Sequence, residues 1–413
     1  MNGSVFINGL IKEKEDTTMK REIEIFVKAA GMVILSFSIL FVLGGTAFSA
    51  EPVRIGAVFT QTGWAGFLGA PQKEAVQVEV DRINKAGGVL GRPLEVYYED
   101  DQSNPTNSVI ATTKLVRDKK VSAVLGTAFT AGATSMIPIA TREGVPLLPT
   151  CPATIDFNKW VFFVLIDDTR HGPGMLKFMA EDLGAKKIAI LTSTEVGFLA
   201  GVKAIEENLD KYGAEVIIKE NYEHQDTSQI PQLTRIKAAK PDVLLNYSIG
   251  TSASVTAKNY KQLGMDIPVV NSWGVASKEH ARVAGEVVPG KSWIVFGLKC
   301  LFADKLPPDD WYRKNLYEPH KKALMEKFGK EFQTYGANAH DAIHVVVEAI
   351  KMAGTDDPKA VRDALENVEY RGLVGDFSVT PTDHYGMPVE AVVPQVIKNG
   401  EYYPYYPEKF GME

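Results

Sequence analysis

GTAFTAGATSMIPIATREGVPLLPTCPAT, residues 126–154, is the stretch on which the reading of this chain turns. An apolar run, VSAVLG at 121–126, precedes it and reads as a buried strand ending at a glycine. Thr130, Ala131, Gly132, Ala133 and Thr134 follow, small residues that let a ligand approach the backbone where a helix begins. A helix start offers unpaired N–H groups and the positive end of the helix dipole, which suits a carboxylate. The helix is expected over 133–142, stopping at Gly144, and a short strand at 145–149 then delivers Thr150, Cys151, Pro152, Ala153 and Thr154. Two strand ends thus present hydroxyls and free N–H groups close together, and in open α/β sheets ligands bind at the carboxyl ends of strands. The bland alternative for Thr130 is an ordinary helix cap.

Outward from that stretch, strand and helix alternate. Residues 52–60 read as a strand ending in the loop QTGWAG, 67–86 as a helix stopped at Gly87 and Gly88, and 94–99 as a strand ending in Asp100 and Asp101. Asn104–Pro105–Thr106 starts the next helix. The pattern then restarts with helices at 172–183, 197–212, 228–239 and 253–263. Strands are expected at 187–192, 215–219, 242–247, 268–272 and 292–297. Helices follow at 311–328, 335–353 and 358–367, the last capped by Asp357, and the tail reads as strands with a hairpin at Lys398–Asn399–Gly400. Short loops between alternating elements predict parallel sheets covered on both faces.

The 413 residues exceed one ordinary domain, and 45% hydrophobic with 23% charged residues is a globular composition. A net charge of -6 gives no basic stripe and no case for nucleic acid. Cys151 and Cys300 are the only cysteines and read as two small buried residues, with pairing open as the alternative. Nothing in the spacing of cysteines and the seven scattered histidines suggests a metal site, and His340 and Asp341 are expected to point apart as helix neighbours. Residues 19–50 carry the charged start, apolar core and small-residue end of a secretory signal, cleaved near Ser49 or Ala50, with Met19 as a candidate true start. An uncleaved membrane anchor is the competing reading of the same residues.

With these pieces in order, the mature chain resembles the leucine/isoleucine/valine-binding proteins of branched-chain amino-acid ABC transporters, which have the type I periplasmic-binding fold. The resemblance rests on RIGAVFTQTGWAGFLGAPQKEAVQVEVDRINKAGGVLGRPLEVYYEDDQSNP, on GTAFTAGATSMIPIATREGVPLL and on YGANAHDAIHVVVEAIKMAG. It implies two doubly wound α/β lobes joined by three crossover strands, with residues 1–50 a leader, 52–168 and 302–377 lobe 1, and 171–299 and 380–413 lobe 2. It also implies that a ligand's carboxylate is held by Thr130 and by Ala153 and Thr154. In lobe 2 the chain departs from the family. Val196–Gly197 stands where an aromatic precedes glycine, and Trp273 where amino-acid binders place an acid against the ammonium. An uncompensated buried ammonium is costly. Trp273 with Phe129, Phe198 or Tyr247 suits a flat or aliphatic carboxylate, unless Glu195 or Asp168 supplies the missing charge. Trp64 and Leu68, from the first loop, complete the candidate walls.

No catalytic motif is present: G-x-S-x-G, G-x-G-x-x-G, a P-loop and H-E-x-x-H are all missing. The expectation is a non-enzymatic, periplasmic solute-binding protein that closes on an amino acid or small organic acid, without a cofactor, and passes it to membrane permease subunits. The alternative is the sensing ectodomain of a membrane-anchored receptor.

Overall fold

The computed structural model describes residues 51–412 apart from Glu195, His224 and Pro289. The expected leader therefore lies outside the described residues. None of the described helices is long and apolar enough to cross a membrane.

A first sheet forms from β1 (Val53–Val58), β2 (Leu94–Glu99), β3 (Val124–Gly126) and β4 (Leu147–Leu148), all parallel, in the order β2-β1-β3-β4. Its helices are α1 (Gly66–Lys85), α2 (Pro105–Arg117) and α3 (Thr130–Glu143). The alternation of β1 and its neighbours explains why both faces are covered. Ile55, Ala57, Leu125 and Leu148 pack with residues from the carboxyl-terminal third of the chain, including Ile343, Val346 and Ile350. Val58, Val124 and Leu147 point the other way, onto Leu115, Met136 and Ala140 of α2 and α3. Burying side chains of this kind contributes roughly 1.5–3 kcal/mol each.

The chain then crosses to a second sheet, entered through α4 (Asp168–Glu181). β5 (Lys187–Ser193), β6 (Glu215–Tyr222), β7 (Val243–Tyr247), β8 (Val269–Asn271) and β9 (Gly290–Leu298) run parallel there, interleaved with α5 (Val196–Glu206), α6 (Ile230–Ala239), α7 (Thr251–Gln262) and α8 (Lys278–Val287). A second crossing leads to α9 (Glu318–Phe328), α10 (Thr334–Ala353) and α11 (Pro358–Leu365), and to the small antiparallel pair β10 (Glu369–Arg371) and β11 (Asp376–Ser378). The buried side of α10 completes the core of the first sheet. A third crossing returns β12 (Val392–Lys398) and β13 (Glu401–Pro404) antiparallel to the edge of the second sheet, whose order is β13-β12-β9-β8-β7-β5-β6. The molecule is two α/β lobes between which the chain crosses three times.

Several boundaries differ from the sequence reading for identifiable reasons. The first lobe's β4 keeps only Leu147 and Leu148, because Pro146 and Pro149 bracket it and cannot donate to a ladder. The helix expected at 172–183 begins at Asp168, where Asp167 accepts from the N–H groups of Thr169 and Arg170 and sets the start. The residues before α9 form a π-turn over Arg313–Tyr317 rather than continuous α-helix. The reading assigns nothing to residues 278–287, which form α8, capped by Ser277 through His280 N–H.

Candidate functional site

The two lobes face each other across a cavity of about 260 Å³. Its first wall is built by the stretch at 126–154. β3 ends at Gly126, whose φ of +103° and whose closeness to the Val58 carbonyl (an added Cβ would sit 1.8 Å from that oxygen) admit only glycine. The turn leads into α3 three residues earlier than the sequence pattern predicts, with extended Phe129 as N-cap and no side chain capping the first N–H groups. Thr130 and Ala131 line the cavity at that helix start. The Thr130 hydroxyl donates to the Pro152 carbonyl, 2.9 Å away. Trp64, Leu68 and Gln72, at and before the first turns of α1, add an apolar wall, with the Trp64 ring edge-on to Phe129 at 5.9 Å.

Residues 150–152 line the cavity, but the next two do not. Ala153 packs with Val161 and Phe163 in the crossing segment, and its carbonyl accepts from the Tyr385 hydroxyl at 2.7 Å. Thr154 is exposed, its hydroxyl 3.5 Å from Asp167. Cys151 and Cys300 are both free and buried.

The second lobe supplies Asp168, Thr194, Phe198, Ile249, Trp273 and Gly274. Asp168 is buried at the first position of α4, and the Tyr247 hydroxyl donates to its Oδ1 at 2.9 Å. Burial pushes the Asp168 carboxyl up to about 7; the Tyr247 hydroxyl and the Trp273 indole pull it the other way, and the Asp167 carboxylate adds to the rise. The Trp273 Nε1–H favours that carboxylate electrostatically yet completes no hydrogen bond among the described residues. Tyr247 itself is fully buried behind Asp168 and does not line the cavity; its ring packs against Phe198 at 5.6 Å. Of the expected candidates, Thr130, Phe129, Trp64, Leu68, Phe198 and Trp273 thus come together at the cavity, while Ala153, Thr154 and Tyr247 do not line it. Glu195 lies outside the described residues.

Sequence reasoning missed Thr194, Ile249, Gln72, Tyr335 and Asn338. The last two come from α10, roughly two hundred residues after the helix start they face. Asn338 donates to the Thr150 carbonyl at 3.3 Å, and its buried Oδ1 makes no hydrogen bond among the described residues. Their one sequence signal is the YGAN opening of the block quoted above, which reads equally well as a buried helix face. Asp168 is the one charged side chain on the cavity among the described residues.

A profile of the periplasmic binding protein family matches residues 52–400. The chain belongs to that family. Among relatives of this periplasmic binding protein, the "Leucine-, isoleucine-, valine-, threonine-, and alanine-binding protein" of Pseudomonas aeruginosa is 25% identical over 351 residues, covering 83% of this chain and 90% of the relative. The "Leu/Ile/Val-binding protein homolog 2" of Brucella abortus is 26% identical over 349 residues, covering 82% and 88%. An extracellular ligand-binding receptor from Rhodopseudomonas palustris superposes with a TM-score of 0.77 at 25% identity, over 86% of this chain and 99% of that one. The fold is also that of the branched-chain amino acid transporter substrate binding protein LivJ of Streptococcus pneumoniae, solved with isoleucine (TM-score 0.71, 23% identity, 85% and 98% covered).

Proposed function

We propose that this periplasmic binding protein is the exported solute-capture component of an ABC importer of the branched-chain amino-acid type, and that its ligand is a single amino acid with an apolar side chain. The observation that carries the reading is the polarity of the cavity. It has aromatic and aliphatic walls, the uncapped start of α3 with Thr130 and Ala131, and one carboxylate, Asp168. No Lys, Arg or His lines it among the described residues, so a ligand carboxylate has amides and hydroxyls for partners. A ligand ammonium has Asp168, and a cation beside that group offsets the desolvation that raises its pKa. Trp273 replaces the expected acid, and the counter-charge comes instead from another element. A volume of about 260 Å³ suits one small molecule, below the roughly 300 Å³ at which drug-sized pockets begin.

Thermal shift and tryptophan fluorescence against apolar amino acids, their deaminated acids and their decarboxylated amines test this. The intact amino acid binds at least tenfold tighter than either fragment, and Asp168→Asn removes the advantage over the deaminated acid. Equal or tighter binding of the deaminated acid to the wild type would return the ligand to a simple carboxylate. Silence across the whole panel would end the reading.

A further inference from the structure

Away from the cavity, three helices of the first lobe bring together side chains that the sequence scatters. Glu79 of α1 and His320 of α9 are fully buried, and His340 of α10 is 2% exposed. One donor atom from each of the three lies within 4.8 Å of the others. His344 stands one turn after His340 and reaches the same carboxylate, with Nε2 2.9 Å from Glu79 Oε2. The expectation that His340 and Asp341 point apart fails here: His340 Nδ1 lies 2.8 Å from Asp341 Oδ1.

That contact holds the His340 ring in place. The Asp341 carboxyl also accepts the N–H groups of Leu373 and Val374, at 2.8 and 2.7 Å, and with His340 Nδ1–H donating to it the ring's Nε2 is turned toward Glu79. Nε2 lies 3.8 Å from Glu79 Oε1, too far for a hydrogen bond. A tetrahedral ion with ligands at about 2.0–2.2 Å holds its donors roughly 3.4 Å apart, close to this gap. A carboxylate that orients a histidine by taking its other ring proton is the usual outer support of a metal-ligating imidazole.

We propose that Glu79, His320 and His340 form a binding site for one divalent transition-metal ion, Zn²⁺ by its donor set, which ties α1, α9 and α10 together and leaves a fourth position for water. His320 Nδ1 now lies 2.7 Å from Glu79 Oε1. Coordination at Nδ1 shifts that ring's proton to Nε2, a buried atom that has no partner among the described residues. His344 keeps Glu79 Oε2 engaged, so Oε1 faces the ion. The competitor is Arg82, whose Nη1 lies 2.8 Å from both Glu79 oxygens. Its side chain is 39% exposed and can turn to solvent when a dication takes over the carboxylate. Arg82 therefore sets the affinity without being a ligand.

The test uses the tag-free chain, stripped with a chelator and titrated with Zn²⁺ by calorimetry and with Co²⁺ by visible absorption. The expected result is one ion per chain, a tetrahedral Co²⁺ spectrum, about tenfold weaker binding or worse in His340→Ala, and about tenfold tighter binding in Arg82→Gln. The Arg82 variant changes a partly exposed residue, so it stays informative if the His340 variant does not fold. No saturable site in either the wild type or Arg82→Gln would overturn the proposal, as would stoichiometric binding that His340→Ala leaves unchanged.

Discussion

The residue that most sharply divides expectation from geometry is Thr154. The family resemblance pairs it with Thr130, but Thr130 lines the cavity at the start of α3 and Thr154 is exposed beyond its rim. Thr130→Val removes the hydroxyl that ties the start of α3 to the Pro152 carbonyl, and should therefore weaken ligand binding by about three- to tenfold, the scale of one neutral hydrogen bond at about 0.5–1.5 kcal/mol. Thr154→Val should stay within about twofold, and calorimetry on the two variants separates these outcomes. Residues at strand ends and helix starts were legible because local pattern sets them. Asn338 and Tyr335 were not, because a helix face says nothing about which distant loop it meets. Single residues also set the response to acid. Burial holds the His171 imidazole down at about 3 and His280 at about 4, against an ordinary value near 6.5. Between pH ~6.5 and ~4 the unfolded chain binds protons that these native side chains refuse, so their contribution to stability falls as pH falls through that window. Asp168, raised to about 7, acts in the opposite sense: the native state holds its proton between pH ~4 and ~7, so this contribution rises as pH falls. In urea unfolding at pH 7.5 and pH 5, His171→Met should lose less stability on acidification than the wild type, by up to ~1.4 kcal/mol per pH unit, and Asp168→Asn should lose more.

Whole elements were read best where punctuation is strong. Asn104 before Pro105, Asp357 before Pro358, and the left-handed glycines at 144 and 213 end or begin helices as the sequence implies. Reading failed where the capping signal was less plain, at Asp167 before α4 and at Ser277 before α8. The first of these matters for the site, since the four added residues place Asp168 on the cavity. How α4 and α5 pack decides whether it stays there. Gly201 of α5 lies so close to α4 and β7 that an added Cβ would come within 2.5 Å of the Tyr247 hydroxyl and 3.0 Å of Asp168 Cβ. A bulky side chain there has the hydrogen-bonded Tyr247–Asp168 pair to push against. Gly201→Val should cost about 1–3 kcal/mol in urea unfolding. It should also weaken ligand binding by more than tenfold, because it displaces the Tyr247–Asp168 pair. A variant that is destabilised yet binds normally would show that the pair lies outside the energetics of capture.

At the scale of the molecule, alternating strands and helices foretold two α/β lobes, but the three crossings came only from the order of motifs in the resemblance. A crossing has no periodicity of its own; it is fixed by contacts between residues hundreds of positions apart. Such contacts also hold the lobes together around the cavity. The Tyr335 hydroxyl of α10 donates to the Gly274 carbonyl of the second lobe at 3.0 Å, both groups buried. Phe67 lies edge-on to Tyr335 at 5.8 Å and fills the space beside Gly250, where an added Cβ would sit 2.9 Å from its ring. At the surface Lys278 and Glu331 pair at 2.9 Å, an exposed contact worth at most about 1 kcal/mol. The buried hydroxyl contact exists only with the lobes together, so it favours the closed form by its own net energy, about 0.5–1.5 kcal/mol. Tyr335→Phe keeps the ring and removes that contact alone. Because ligand meets the open form first, the loss should fall on dissociation: koff rises about three- to tenfold while kon changes little. Stopped-flow tryptophan fluorescence resolves the two rates, and small-angle scattering of the saturated variant should still show the compact form. A Kd within twofold of the wild type would mean that the cavity contacts close the lobes without help from α10.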